Sequence, residues 1–151
     1  MATFIEKPKA TGKVVFKLFD KDGNLKDERH IENLVVTTGL NHIAGRLADT
    51  GIPNQMSHMA LGEGITAPAL ADTGLGSQLG RVSLTTAGGS PSGDTVTYAA
   101  TFPAGTATGA VTEAGIFNNS TGGTMLCRTT FSVINKGASD ALAVTWEVTI
   151  S

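Results

Sequence analysis

Glu113 stands inside VTEAGIFNN, residues 111–119, an otherwise apolar run with the look of a strand. A carboxylate in that setting has three chemical options: general acid or base, metal ligand, or structural charge with a partner. Acid–base work needs a second titrating group within reach. Glu63, Asp72 and Glu147 are available for that role. Against catalysis stands the cost of burial, because an isolated charge inside a packed strand costs several kcal/mol unless it is paired or hydrogen-bonded. Arg81 and Arg128 also lie mid-strand, and with Arg46 and Lys136 they are the only basic side chains after residue 32. The pattern predicts a structural Glu113 held by Arg81, by Arg128 or by a backbone amide at a subunit contact. The choice among the three stays open. Such a group fixes register or an interface more than it adds stability.

The other groups capable of chemistry fall short of a site. In DKDGN, Asp20, Asp22 and Asn24 match the first ligand positions of a calcium loop, but Leu25 stands where that loop needs glycine and Ile31 where it needs an acid. An Asp-Gly hairpin turn is the better reading. His30, His42 and His58 are scattered, and with Cys127 alone they do not make compact zinc spacing. His58 reads as a strand residue with a hydrogen-bond partner, and His42 as a helix residue beside the apolar face. In GGSPSG (88–93), Pro91 occupies the position where a nucleophilic serine should stand. Lys136-Gly137 lacks the rest of a phosphate loop, and Gly62-Glu63-Gly64 lacks a dinucleotide motif. Asn118-Asn119-Ser120 is a formal glycosylation sequon, expected to stay unmodified without an export signal. The expectation is a chain with no catalytic residue, no metal, no cofactor and no small-molecule substrate.

Composition frames these residues. Residues 1–32 hold 13 of the 24 charged side chains, and the 119 residues after them share 11. A body this poor in charge and rich in Thr, Ala and Gly suggests surface buried against copies of itself or other chains. Net charge is −2, so no basic excess points to nucleic acid. The single cysteine excludes an intrachain disulfide and fits a reducing cytosol. No apolar stretch approaches the roughly 18–20 residues that span a bilayer, and the first residues lack the apolar core of a signal peptide. The reading is a soluble chain without an export address or a membrane partner.

The elements that position these groups follow from periodicity. Residues 1–12 read as an N-terminal arm, and 13–151 as one β domain made of a hairpin (13–36) and a body (37–151). KVVFKLFD and LKDERHIENLVV flank the Asp-Gly turn as its two strands. In TTGLNHIAGRLADTG, Leu40, Ile43, Ala44 and Leu47 recur at helical spacing, with Thr37 or Thr38 as cap and Gly51 as stop. One short helix is therefore predicted over about 38–50. Strands are predicted at 56–62, 78–86, 95–102, 110–117, 124–133 and 141–150, joined by a long loop (63–77), a flexible turn (88–94) and shorter loops. About eight strands at short spacing with one helix predict a mainly β, antiparallel sandwich or jelly-roll-like domain.

At this point the residues carry a resemblance. NLVVTTGLNHIAGRLAD, MSHMALGEGITAPALADTGLGSQLGRVSL, TVTYAATFPAGTATGAVTEAGIFN, GTMLCRTTF, INK and LAVTWEVTI, in that order, resemble small virion proteins of tailed bacteriophages. The likeness covers about residues 33–151, leaving the arm and most of the hairpin outside it. It implies a non-enzymatic structural protein in which Glu113 belongs to the E-A-G-[IL]-F strand as a fold element. One departure is that Gln78 and Leu79 stand where an acid is common before the Arg81 strand. The resemblance implies a capsid decoration (cement) protein, made in the bacterial host's cytoplasm and forming a homotrimer on the outer capsid surface against the major capsid protein. In that reading the arm, through Phe4, Ile5, Lys7, Pro8 and Lys9, contacts the capsid or a neighbouring subunit. The alternative is a tail-fibre or tail-tip module that touches a host receptor or glycan through loops 63–77 and 88–94.

Overall fold

The computed structural model describes residues 10–48 and 50–150. Two long strands, β1 (Ala10–Phe19) and β2 (Leu25–Val35), form the first hairpin, and helix α1 (Thr37–Arg46) follows at once. Then come β3 (His58–Gly62), β4 (Gln78–Ser83), β5 (Ser90–Ser92), β6 (Thr95–Phe102), β7 (Gly109–Phe117), β8 (Met125–Lys136) and β9 (Ala141–Ile150). The protein is mainly β. All nine strands pair antiparallel in one sheet, ordered β4-β3-β7-β8-β2-β1-β9-β6-β5 and curled into a half-barrel.

Alternation explains the concave side. Val14, Phe16 and Leu18 of β1, Tyr98, Ala100 and Phe102 of β6, and Leu142, Val144, Trp146 and Val148 of β9 all turn inward and are buried. The register sets them across from one another, Val14 opposite Trp146 on one side and Tyr98 opposite Trp146 on the other. Fully burying a large apolar side chain is worth about 1.5–3 kcal/mol, so these three strands alone supply a large part of the driving force. The intervening residues Lys13, Lys17, Thr145 and Glu147 face outward. β7 breaks the alternation, being buried almost continuously from Val111 to Phe117. Its inner face (Val111, Ala114, Ile116) joins the main core, while Phe117 belongs to a second cluster with Val36, Ala60, Met125 and Leu75. A strand covered on both faces reads as an apolar run, which is why Glu113 looked out of place.

The expected eight-stranded sandwich or jelly roll is corrected to nine strands in one continuous sheet. β2 is the reason. It pairs with β1 along most of its length, then passes to β8 through Leu34 and Val35, so one strand serves both halves. The segment leaving β4 ties the far ends together, with Leu84 N donating to Ser57 O and Thr85 N to Ala99 O. The ninth strand, β5, lies within the stretch read as a flexible turn. Among the described residues it pairs only with β6, at the sheet edge, where Pro91 costs no ladder hydrogen bond.

Other boundaries also shift. Residues 10–12, assigned to the arm, open β1 because Ala10 pairs with Ile150 and Gly12 with Val148. Phe4, Ile5, Lys7, Pro8 and Lys9 lie outside the described residues. Asn135 and Lys136, read as loop, extend β8 because Ala110 and Gly109 of β7 stand opposite them. The helix ends at Arg46, short of residue 50, and Val36 precedes it without a side-chain cap. The Thr38 hydroxyl instead donates to Met125 O at 2.9 Å, roping the helix to β8. Helix α1 is also rolled away from its expected face. Gly39 and His42 are buried, while Leu40 and Leu47 are 42% and 84% exposed. Gly39 rests on the backbone of Leu126, where a Cβ would collide with the carbonyl oxygen.

Candidate functional site

β7 and β8 place Gly115 opposite Arg128 and Glu113 opposite Thr130, so Glu113 and Arg128 are diagonal neighbours on the outer face. On the other side of β7, Gly62 at the end of β3 stands opposite Glu113. There the chain leaves the sheet as the loop 63–77 and returns as β4. Both ends of that loop converge on one carboxylate. Glu113 Oε2 accepts from Gly64 N at 2.7 Å and Ser77 N at 2.8 Å, and Oε1 from Gly76 N at 2.7 Å. Arg128 adds two donors to Oε1, Nη2 at 3.0 Å and Nε at 3.1 Å. The loop ends are further joined by Glu63 N to Ser77 O and by the Thr112 hydroxyl to Gly64 O, at 2.8 and 2.7 Å.

Arg128 carries the clamp into the middle of the loop. Its Nη1 donates to Asp72 Oδ2 and its Nη2 to Thr66 O, both at 3.0 Å. Asp72 Oδ2 also accepts from Ala69 N at 2.9 Å, and Leu70 O accepts from Thr37 N at the start of α1. A fifteen-residue loop without secondary structure would ordinarily be mobile. Here its two ends and its centre hang on two buried side chains.

The electrostatics favour holding over reacting. Glu113 is fully buried and the Arg128 side chain is 3% exposed. Burial pushes the Glu113 carboxyl up, but the donors from Ser77, Gly76, Arg128 and Gly64 outweigh it and hold it below its ordinary value. With five donors on two oxygens and no solvent contact, Glu113 has no free lone pair aimed at a substrate. Gly64 is required by this closeness, since a Cβ there would run into the Glu113 carboxylate.

The structure separates the two mid-strand arginines. Arg81 is not among the partners of Glu113. Its guanidinium lies over the Phe117 ring, 3.8 Å from the centroid, and donates to Asn119 O and Gly122 O, each at 2.9 Å. Gln78, which stands where the resemblance leads one to expect an acid, is its side-chain partner at 2.9 Å. Arg81 therefore braces the β7–β8 turn by cation–π and hydrogen-bond contacts. Of the candidate second acids, Asp72 joins the clamp through Arg128. Glu63 is exposed beside it, and Glu147 stands on the outer face of β9 opposite Lys13. Composition alone does not reveal Asp72, Thr66, Gly76 and Ser77 as clamp partners. The available signal was glycine at both ends of the loop, Gly62 and Gly64 at one and Gly76 at the other, which lets backbone approach a buried carboxylate.

The remaining chemistry-bearing groups are spread over the fold. Lys136, also buried, donates to Asp140 O at 2.7 Å and Pro103 O at 3.0 Å, fastening two more loops. Asp20 accepts from Asp22 N and Asn24 N, both at 2.9 Å, and so organises the hairpin turn with its side chain. His58 pairs with the Ser57 hydroxyl at 2.8 Å, and burial, then Arg81, pull its ring pKa down. His42 is shifted the same way by burial and by Arg46. Cys127 is buried, which pushes its thiol pKa up. Among the described residues no three His, Cys, Asp or Glu side chains come together as a metal site, and no helix is long and apolar enough to cross a membrane.

The surface beside the clamp carries exposed apolar side chains as well as the exposed Glu63 and Thr66. Ile65 and Leu70, on the loop that Glu113 and Arg128 immobilise, are 85% and 55% exposed. Compared with known proteins, the chain matches no family model, no curated protein and no solved structure.

Proposed function

We propose that this chain is a non-enzymatic structural protein of a tailed-phage virion, a capsid decoration protein. It assembles as a homotrimer on the outer shell and clamps neighbouring capsomers of the major capsid protein. The observation that carries the reading is the use made of the buried charges. Glu113, the carboxylate whose setting raised the question of acid–base chemistry, and its partner Arg128 spend their hydrogen bonds on fixing loop 63–77. That loop presents Ile65 and Leu70 to solvent on a rigid backbone, and pre-ordering a loop lowers the entropy lost when it docks. A charge-poor body and the order of its motifs support the same reading. Phe4, Ile5, Lys7, Pro8 and Lys9 are the arm residues assigned to contact with the capsid or a neighbouring copy.

The test is binding of purified protein to undecorated capsids, followed by immunogold labelling of whole virions. Label over the head and co-sedimentation with capsids are expected. Label confined to the tail replaces this reading with the tail-fibre or tail-tip module. A glycosidase-type activity that Glu113→Gln abolishes, while the fold survives, would overturn both.

A further inference from the structure

A cleft of about 250 Å³ opens between α1 and the end of the half-barrel where β6 starts and β9 stops. Ile43, Met56, Val96, Tyr98 and Val148 line it, and Arg46 is the charged side chain among its lining residues. Leu47 and Ile150, also in the lining, are 84% and 38% exposed. A concave apolar wall with few polar groups suits a large apolar side chain. Leaving it open keeps that surface in water at a cost of about 25 cal/mol per Å².

The chain itself supplies an occupant. Ile150 pairs with Ala10, so the residue that follows the arm enters the sheet beside this cleft. The arm's sequence, MATFIEKPK, holds one adjacent pair of large apolar side chains, Phe4 and Ile5, followed by Glu6. The charge order complements the cleft, with an acid next to the apolar pair and Arg46 next to the apolar wall. Pro8 biases Lys7 towards extended backbone. From Ala10 to Ile5 an extended chain spans roughly 16 Å at about 3.3 Å per residue. That length carries the apolar pair well past the end of the sheet at Ala10 and Ile150.

We infer that the cleft receives Phe4 and Ile5 from a second copy of this chain, an exchange of arms that ties neighbouring copies together. The inference rests on the reading of the chain as self-assembling, but not on where the assembly sits. Two full-length variants test it, one carrying Ile5→Cys and the other Leu47→Cys, mixed under oxidising conditions. Cys127 is buried and does not compete. The expected result is a covalent dimer in the mixture, well above what either variant forms alone and lost on reduction. A third protein carrying both substitutions controls for the source of the arm. If it consumes its thiols without forming covalent oligomers, the arm lies in its own cleft and the exchange is overturned. Thiols that stay free in every sample overturn the docking itself. The assay uses purified protein only, so its failure leaves the capsid-binding result standing, and failure to bind capsids leaves the cross-link standing.

Discussion

Arg128 donates twice to a single oxygen of Glu113, from Nε at 3.1 Å and Nη2 at 3.0 Å, and both side chains are sealed from solvent. Pairs of this kind are costly to break, because the partner left behind stays buried with its charge. In Glu113→Gln the amide offers one oxygen in place of two, and its NH₂ faces backbone or guanidinium donors whichever way it turns. The expected loss is about 3–5 kcal/mol, read as a fall in the urea midpoint with little change in slope. Arg128→Met should lose a similar amount. The double variant, Glu113→Leu with Arg128→Met, should cost less than the sum of the two single changes, because neither charge is then left buried alone.

The same carboxylate sets an acid limit. Its folded pKa is held below its ordinary value of 4.5, so folding is favoured while it is ionised. That contribution is present above about pH 4.5 and is lost as pH falls through the lower folded value. Urea midpoints measured from pH 7 down to pH 3 should decline at the acid end. Glu113→Gln should show a shallower decline, and identical profiles would remove Glu113 as the source.

Gly39 offers a test in which propensity and packing disagree. In an exposed helix, Gly to Ala gains close to 1 kcal/mol. Here the added methyl meets the Leu126 carbonyl, so the helix must lift from β8 and strain the Thr38–Met125 hydrogen bond. Gly39→Ala is therefore expected to lower the melting temperature. An increase would mean that α1 is free to shift.

Tyr98 is the only tyrosine, so alkaline titration of its absorbance reads one group. Burial, and to a lesser degree Cys127, raise its pKa to about 12, while Arg46 works in the opposite direction. A raised folded value means that stability is complete below the unfolded pKa near 10 and is lost as pH rises towards 12. Phenolate should appear together with loss of the folded circular-dichroism signal. Full ionisation near pH 10 in the folded protein would place the ring in solvent.

What could be read from the chain alone was local. Alternation marked the buried faces of β1, β6 and β9, because side chains on a strand point to opposite sides whatever the neighbours are. The Asp-Gly turn was legible because Asp20 bonds within four residues of itself. A carboxylate inside an apolar strand also announces a need for partners, since burial energetics demand them. Tertiary structure decided everything that depends on who the neighbours are. It chose Arg128 and three loop amides for Glu113, and gave Arg81 to Phe117, because strand order and loop closure bring residues 64, 77 and 128 to one point. It turned α1 onto Gly39 and His42 because β8 offers a backbone surface that only a glycine can approach. It made one sheet from two expected layers because β2 is long enough to pair with β1 and then with β8. Periodicity records which face of an element is buried, and it carries no information about which element does the burying.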